Sequence, residues 1–264
     1  MPLLQTLLSA ELHIRLFYIY RQYPGKIKQL LKKVNLLSII WEWSEVWALL
    51  IPLIIIFIFR PDARYVWMLK SYIILAFSLN LFAQVTNQFY YLFPESFSIN
   101  NNVYYNVQVI IRVMLLGGYI ISVRPYRYHI LLKALLIVFV AFTLVNFTFF
   151  ESPLLLSIRL FAAGNITLII CCVSYFLRSI LEDSTVNWLK HPSFIVCTAV
   201  CLYEAVTFFI FLFIYPLSYT DPEFGLVTLR IYQVILVLFG VLLAIALYRY
   251  KKQKQSTHEA PAHT

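Results

Sequence analysis

The sequence predicts an all-α, polytopic membrane protein, a bundle of seven transmembrane helices with the N-terminus outside and the C-terminus inside. Three observations carry this. Of 264 residues, 61% are hydrophobic and 12% charged, against about 45–50% and about 25% in ordinary soluble domains. Mean hydropathy is +0.79. From residue 44 to near the C-terminus, apolar runs long enough to cross about 30 Å of hydrocarbon follow one another, and no stretch remains for a second, soluble domain. The predicted organisation is an N-terminal extension or interfacial segment (1–43), a membrane domain (44–250) and a disordered cytoplasmic tail (251–264).

The first span, 44–60, contains Pro52, which is expected to kink it in a way that neighbouring helices accommodate. The second, 66–92, carries Asn80, Gln84, Asn87 and Gln88, which share one helical face by their i, i+4, i+7, i+8 spacing. The third, 103–123, presents Tyr105, Gln108 and Arg112 on one face in the same way. The fourth, 129–150, has Asn146 near its outer end, and the fifth, 154–178, has Arg159. The sixth, 193–215, holds Glu204 near its middle, on a polar strip with Cys197, Cys201 and Thr207. The seventh, 226–249, bears Arg230 and Gln233. Every connection contains at least one proline: Pro61, Pro94, Pro125, Pro153, Pro192, then Pro216 and Pro222.

Orientation follows from Lys and Arg. The first, third and fifth loops and the tail carry Arg60, Arg64, Arg124, Arg127, Arg178, Lys190, Arg249, Lys251, Lys252 and Lys254, which marks them as cytoplasmic. The second, fourth and sixth loops contain neither residue and read as outside. The first 43 residues disturb this alternation, since an odd span count puts them outside although they carry Arg15, Arg21, Lys26, Lys28, Lys32 and Lys33. An interfacial segment, an extension preceding the true start, and an additional inserted helix are the three readings; an extension or surface segment is preferred, because no 18-residue apolar run lies there. No cleavable signal peptide is expected, since Glu11, His13 and Arg15 interrupt the apolar pattern.

The net charge of +9 lies between apolar runs and at the chain ends, so it reads as topology signal and not as a nucleic-acid face. The four cysteines fall inside spans and are expected to pack as small apolar residues. Lys70 and Lys133 are expected to snorkel to the cytoplasmic surface. His129 has no companion at ligand spacing, so neither a metal nor a cofactor is expected. Asn146-Phe147-Thr148 and Asn165-Ile166-Thr167 match the glycosylation pattern but lie in apolar runs, and read as chance matches. Gly117-Gly118 and Ala162-Ala163-Gly164 are expected to let helices approach closely.

A carboxylate in mid-span costs a few kcal/mol unless it is paired, protonated or wet. Polar faces at similar depth on several helices predict one outward-opening cavity, cationic because three arginines face one glutamate. The candidate ligand-binding residues are Arg112, Arg159, Glu204, Arg230, Gln84, Gln88, Gln108 and Gln233, with a small anionic or strongly polar ligand held by the arginines and Glu204 fixing one of them. Arg112 is the best partner for Glu204 by depth. The structural alternative is that Arg159 and Arg230 snorkel to lipid phosphates and that Arg112 and Glu204 form a plain interhelical pair.

No nucleophile with a base, no paired carboxylates, no HExxH and no GxSxG accompany Glu204, so an enzyme is not expected. The seventh span has no lysine for a retinal Schiff base. Three functions remain: a receptor or sensor signalling through a cytoplasmic or membrane partner, a small-solute carrier with Glu204 as coupling acid, or a structural or assembly subunit. Scarce glycine and uninterrupted spans favour the receptor.

The polar faces on the second and third spans, Ser157-Ile158-Arg159-Leu160 early in the fifth, and Pro192-Ser193-Phe194 at the start of the sixth carry a resemblance. Over about residues 36–250 the chain resembles a loose group of bacterial seven-span proteins, similar in layout to the stand-alone membrane modules of seven-helix sensor kinases. The group has no established activity. The resemblance implies a sensor-like protein of the bacterial inner membrane, whose surroundings are the lipid bilayer.

Overall fold

The computed structural model describes residues 40–61, 65–88, 102–123, 129–182, 191–218 and 222–259. Among them are seven α-helices and no strand. They are α1 (Ser44–Phe59), α2 (Val66–Gln88), α3 (Asn102–Val123), α4 (His129–Val145), α5 (Ile158–Glu182), α6 (Pro192–Ser218) and α7 (Pro222–Glu259). Six are long and apolar enough to cross a membrane, whereas α1, with 16 residues, is apolar but shorter. At 1.5 Å per residue α1 is about 24 Å long. A helical turn at 40–42 precedes it, and the Trp47 indole donates to the Ile40 carbonyl at 2.8 Å. The expected extension over 1–43 otherwise lies outside the described residues, as do most of the expected loops.

The helices close into a ring in the order α1, α2, α3, α5, α6, α7 and back to α1, and α4 lies outside it against α3 and α5. Large apolar side chains such as Phe57, Trp67, Ile137, Leu144 and Phe149 point outward, while Asn80, Asn106, Arg112, Asn165, Glu204, Thr207 and Gln233 are buried. An apolar exterior around a polar interior inverts the soluble pattern and suits a bundle solvated by lipid. Cys171, Cys172 and Cys197 are buried free thiols in the packed interior.

Small residues set the approach of the helices. At Gly240 of α7 an added Cβ would overlap the Ala48 carbonyl oxygen of α1, so the backbones meet there. Gly164 of α5 leaves room for Val109 and Val113 of α3, while Gly117 and Gly118 face the side chains of Leu136 and Met68. At one end of the bundle Tyr119 of α3, Ser193 of α6 and Tyr250 of α7 share two hydrogen bonds, Tyr119 to Tyr250 and Ser193 to Tyr250, each 2.6 Å between oxygens.

Several element boundaries differ from expectation by a few residues, and two of them are informative. The fifth helix begins at Ile158, not 154, because the preceding connection is bound by side chains. α4 runs into a π-helical turn, Asn146–Phe150, after which Asn106 donates to the carbonyls of Pro153 (3.0 Å) and Leu155 (2.8 Å). Asn106 also accepts from the Ser157 N–H at 3.1 Å, and the Ser157 hydroxyl accepts from the Leu160 N–H at 3.1 Å, as an N-cap does. The serine of Ser157-Ile158-Arg159-Leu160 therefore has a local structural role. The second departure is the tail, expected to be disordered from 251. α7 instead continues to Glu259, because Lys, Gln and Glu are good helix formers and a helix already nucleated extends at little cost.

Candidate binding cleft

Glu204 lies midway along α6 and is 0% exposed. Its partner is Arg112, ten residues into α3, whose Nε lies 3.1 Å from Glu204 Oε1. The guanidinium is held on its other side too: Nη2 donates to Asn165 Oδ1 of α5 at 3.0 Å, and Nη1 to the Tyr203 hydroxyl at 3.2 Å. Asn165 donates in turn to Thr207 Oγ at 3.2 Å, while Thr207 bonds back to the Tyr203 and Glu204 carbonyls at 2.8 and 3.3 Å. Three helices are thus joined through one cation. Neither Glu204 oxygen accepts a well-aligned hydrogen bond among the described residues, so the ion contact with Arg112 is what compensates its charge.

The guanidinium forms the floor of a cleft lined by Tyr105, Gln108, Val109, Arg112, Leu156, Phe161, Tyr203, Phe211 and Tyr232. Aromatic rings fill most of it. Tyr203 stacks on Phe239 at 4.8 Å between centroids, and its hydroxyl lies 3.4 Å from that of Tyr232. Phe161 and Phe211 approach to 4.3 Å, and Leu156, carried by the connection that Asn106 binds, reaches in from the end. About 10 Å³ remains open to a water-sized sphere, room for about one water molecule. At the rim the Tyr105 hydroxyl donates to Glu45 Oε2 at 3.1 Å, and Asn80 donates to the Glu45 backbone carbonyl at 3.1 Å.

Of the eight residues singled out in the sequence, the structure brings Arg112, Glu204 and Gln108 together at this cleft. Gln233 is buried but donates to the Trp41 carbonyl at 3.1 Å. Gln84 is half-buried and Gln88 exposed. Arg159 and Arg230 lie elsewhere. The Arg159 side chain is 59% exposed and lies 3.5 Å from Glu151 and 5.5 Å from the Phe150 ring centroid, and Arg230 is on the exposed face of α7. Depth can be counted along a sequence, but the direction a side chain takes around the bundle axis depends on how each helix is rotated. Instead of three arginines against one glutamate, the cleft floor has one of each in contact.

Sequence reasoning missed Asn165, Tyr203, Tyr232 and Glu45. Asn165 was readable only as a chance glycosylation match, although it lies next to Gly164, where α5 approaches α3. Tyr203 and Tyr232 are inconspicuous among 19 tyrosines. Glu45 stands at the edge of its apolar run, where a charge draws no attention. No group of three or more His, Cys, Asp or Glu that could hold a metal occurs among the described residues. Neither a protein-family model, nor a curated protein, nor a solved structure matches the chain.

Proposed function

We propose that this chain is a multi-pass protein of the bacterial inner membrane with seven spans, acting as a receptor or sensor whose outward-facing cleft takes a small anionic or strongly polar ligand at Arg112. The observation that carries the reading is the buried Arg112–Glu204 contact at the cleft floor, which ties α3 to α6. A ligand anion competes with Glu204 for the guanidinium. Occupied and empty states then differ in the contacts between those helices, which is what a ligand needs in order to shift a conformational equilibrium. The cleft is nearly filled in the empty state, so occupancy requires Tyr203, Tyr232 or Leu156 to move. A partner reads that movement on the cytoplasmic side.

A carrier with Glu204 as coupling acid is the second reading, favoured by the absence of aligned hydrogen bonds at either Glu204 oxygen. The span count and orientation rest on the loop charges and on α1, which packs between α2 and α7 as a full member of the ring. Reporter fusions at 93–102 and 216–225 should report outside, and fusions at 124–128 or after Lys254 inside; reversed signals would sink the outward cleft. Purified protein should gain thermal stability with at least one member of a panel of anionic metabolites, and Arg112→Gln should remove that gain. Flat melting curves throughout would leave the structural-subunit role instead, and uptake into vesicles would identify a carrier.

A further inference from the structure

Arg112 and Glu204 are 3% and 0% exposed, and together they carry no net charge. A monoanion entering beside them leaves the floor with one excess negative charge in a site nearly free of water. Such a charge costs several kcal/mol unless something neutralises it. Among the described residues no other Lys, Arg or His lines the cleft: Arg159 is exposed and lies by Glu151, and Arg230 faces outward. The remaining groups that face the pair are neutral phenols and thiols. They are Tyr72 from α2, Cys172 from α5, Cys201 and Tyr203 from α6, and Tyr232 from α7. Glu45 of α1 is bonded to Tyr105 at the rim.

The donors needed for an anion are nevertheless present. A guanidinium has five N–H groups. Arg112 directs one toward Glu204, one to Tyr203 and one to Asn165, which leaves a second N–H on each Nη. Tyr232 accepts from Tyr203, so its own hydroxyl hydrogen is available, and Gln108 adds an amide. The walls beside them, Val109, Leu156, Phe161 and Phe211, are apolar.

Resting on the anion-site reading above, we infer that the cleft binds a monocarboxylate with a short apolar body together with one proton, which Glu204 accepts as it gives up Arg112. The balance is simple: ionised Glu204, one proton and the ligand carboxylate become neutral Glu204 and a carboxylate on Arg112. The floor keeps zero net charge before and after. Glu204 suits the role because, among the described residues, its oxygens make no other aligned hydrogen bond that would have to be broken.

Calorimetric titration of the full chain in detergent with propionate and benzoate, repeated in buffers of different ionisation enthalpy, measures both binding and proton uptake. Uptake rising toward one proton per ligand is expected as the pH goes from neutral to alkaline, with affinity falling about tenfold per pH unit on the alkaline side. Glu204→Gln should bind with uptake near zero and without that pH dependence. Binding by the wild-type protein with no proton uptake overturns the inference and leaves the anion site standing. Loss of uptake in Glu45→Gln but not in Glu204→Gln moves the proton to the rim and also overturns it. Absence of binding by either carboxylate and by inorganic phosphate removes the anion site itself. The wild-type buffer series decides the matter even where a variant does not fold.

Discussion

Replacing Arg112 with methionine should lower the stability of the purified protein by about 3–5 kcal/mol, because removing one member of a buried ion pair strands the other. A shift on the order of 10 °C in the melting midpoint is the corresponding thermal reading for a chain of this size. The stranded group is Glu204, which is wholly buried and has no other aligned partner among the described residues. Asn165 and the Tyr203 hydroxyl lose their donor at the same time. The double variant Arg112→Met with Glu204→Gln should recover part of the loss, since it leaves no uncompensated charge, and the coupling between the two positions should be about 1–3 kcal/mol. A double variant no more stable than Arg112→Met would show that the guanidinium acts through Asn165 and Tyr203 and that its contact with Glu204 contributes little.

At Gly240 the cost should be somewhat smaller and of different origin. A methyl group there meets the Ala48 carbonyl, a backbone atom in the second turn of α1 that cannot rotate away. Gly240→Ala must therefore push α7 from α1, and Gly240→Val must push it further, with losses of about 1–3 kcal/mol or more from overpacking. The matched control is Gly118→Ala, where the new methyl would meet the Met68 sulfur at 3.1 Å, the far part of a flexible side chain. Size-exclusion profiles of the extracted proteins should show Gly240→Val largely aggregated and Gly118→Ala monodisperse. Ala48→Gly should not rescue Gly240→Ala, because the obstacle is a carbonyl and not a side chain; a rescue would place the close approach elsewhere.

The lengths of the helices were legible because burial in lipid demands runs of a set length, and prolines mark the ends of those runs. Glu204 and Arg112 could be matched because each was the deepest charge of its kind. What was not legible is lateral. Hydropathy is blind to the order in which helices neighbour one another, so the exclusion of α4 from the ring left no trace in the apolar runs. The same blindness grouped Arg159 and Arg230 with Arg112 at similar depth, although they point out of the bundle. Asn165 and Asn106 were hidden for another reason. Each is an isolated asparagine whose role appears only when a partner from a distant part of the chain is brought within 3 Å.

The tyrosine–serine cluster far from the cleft has a mechanical meaning. α3, α6 and α7 are pinned together at one level through Arg112, Tyr203 and Tyr232, and again through Tyr119, Ser193 and Tyr250. The two levels are 7 residues apart on α3, 10 on α6 and 18 on α7, or about 10, 15 and 27 Å along the respective axes. Three rods fastened at both levels form a truss. Sliding one of these helices along another requires breaking hydrogen bonds at both levels. α7 runs nine residues beyond Tyr250, to Glu259, so the second fastening lies within the helix and not at its end.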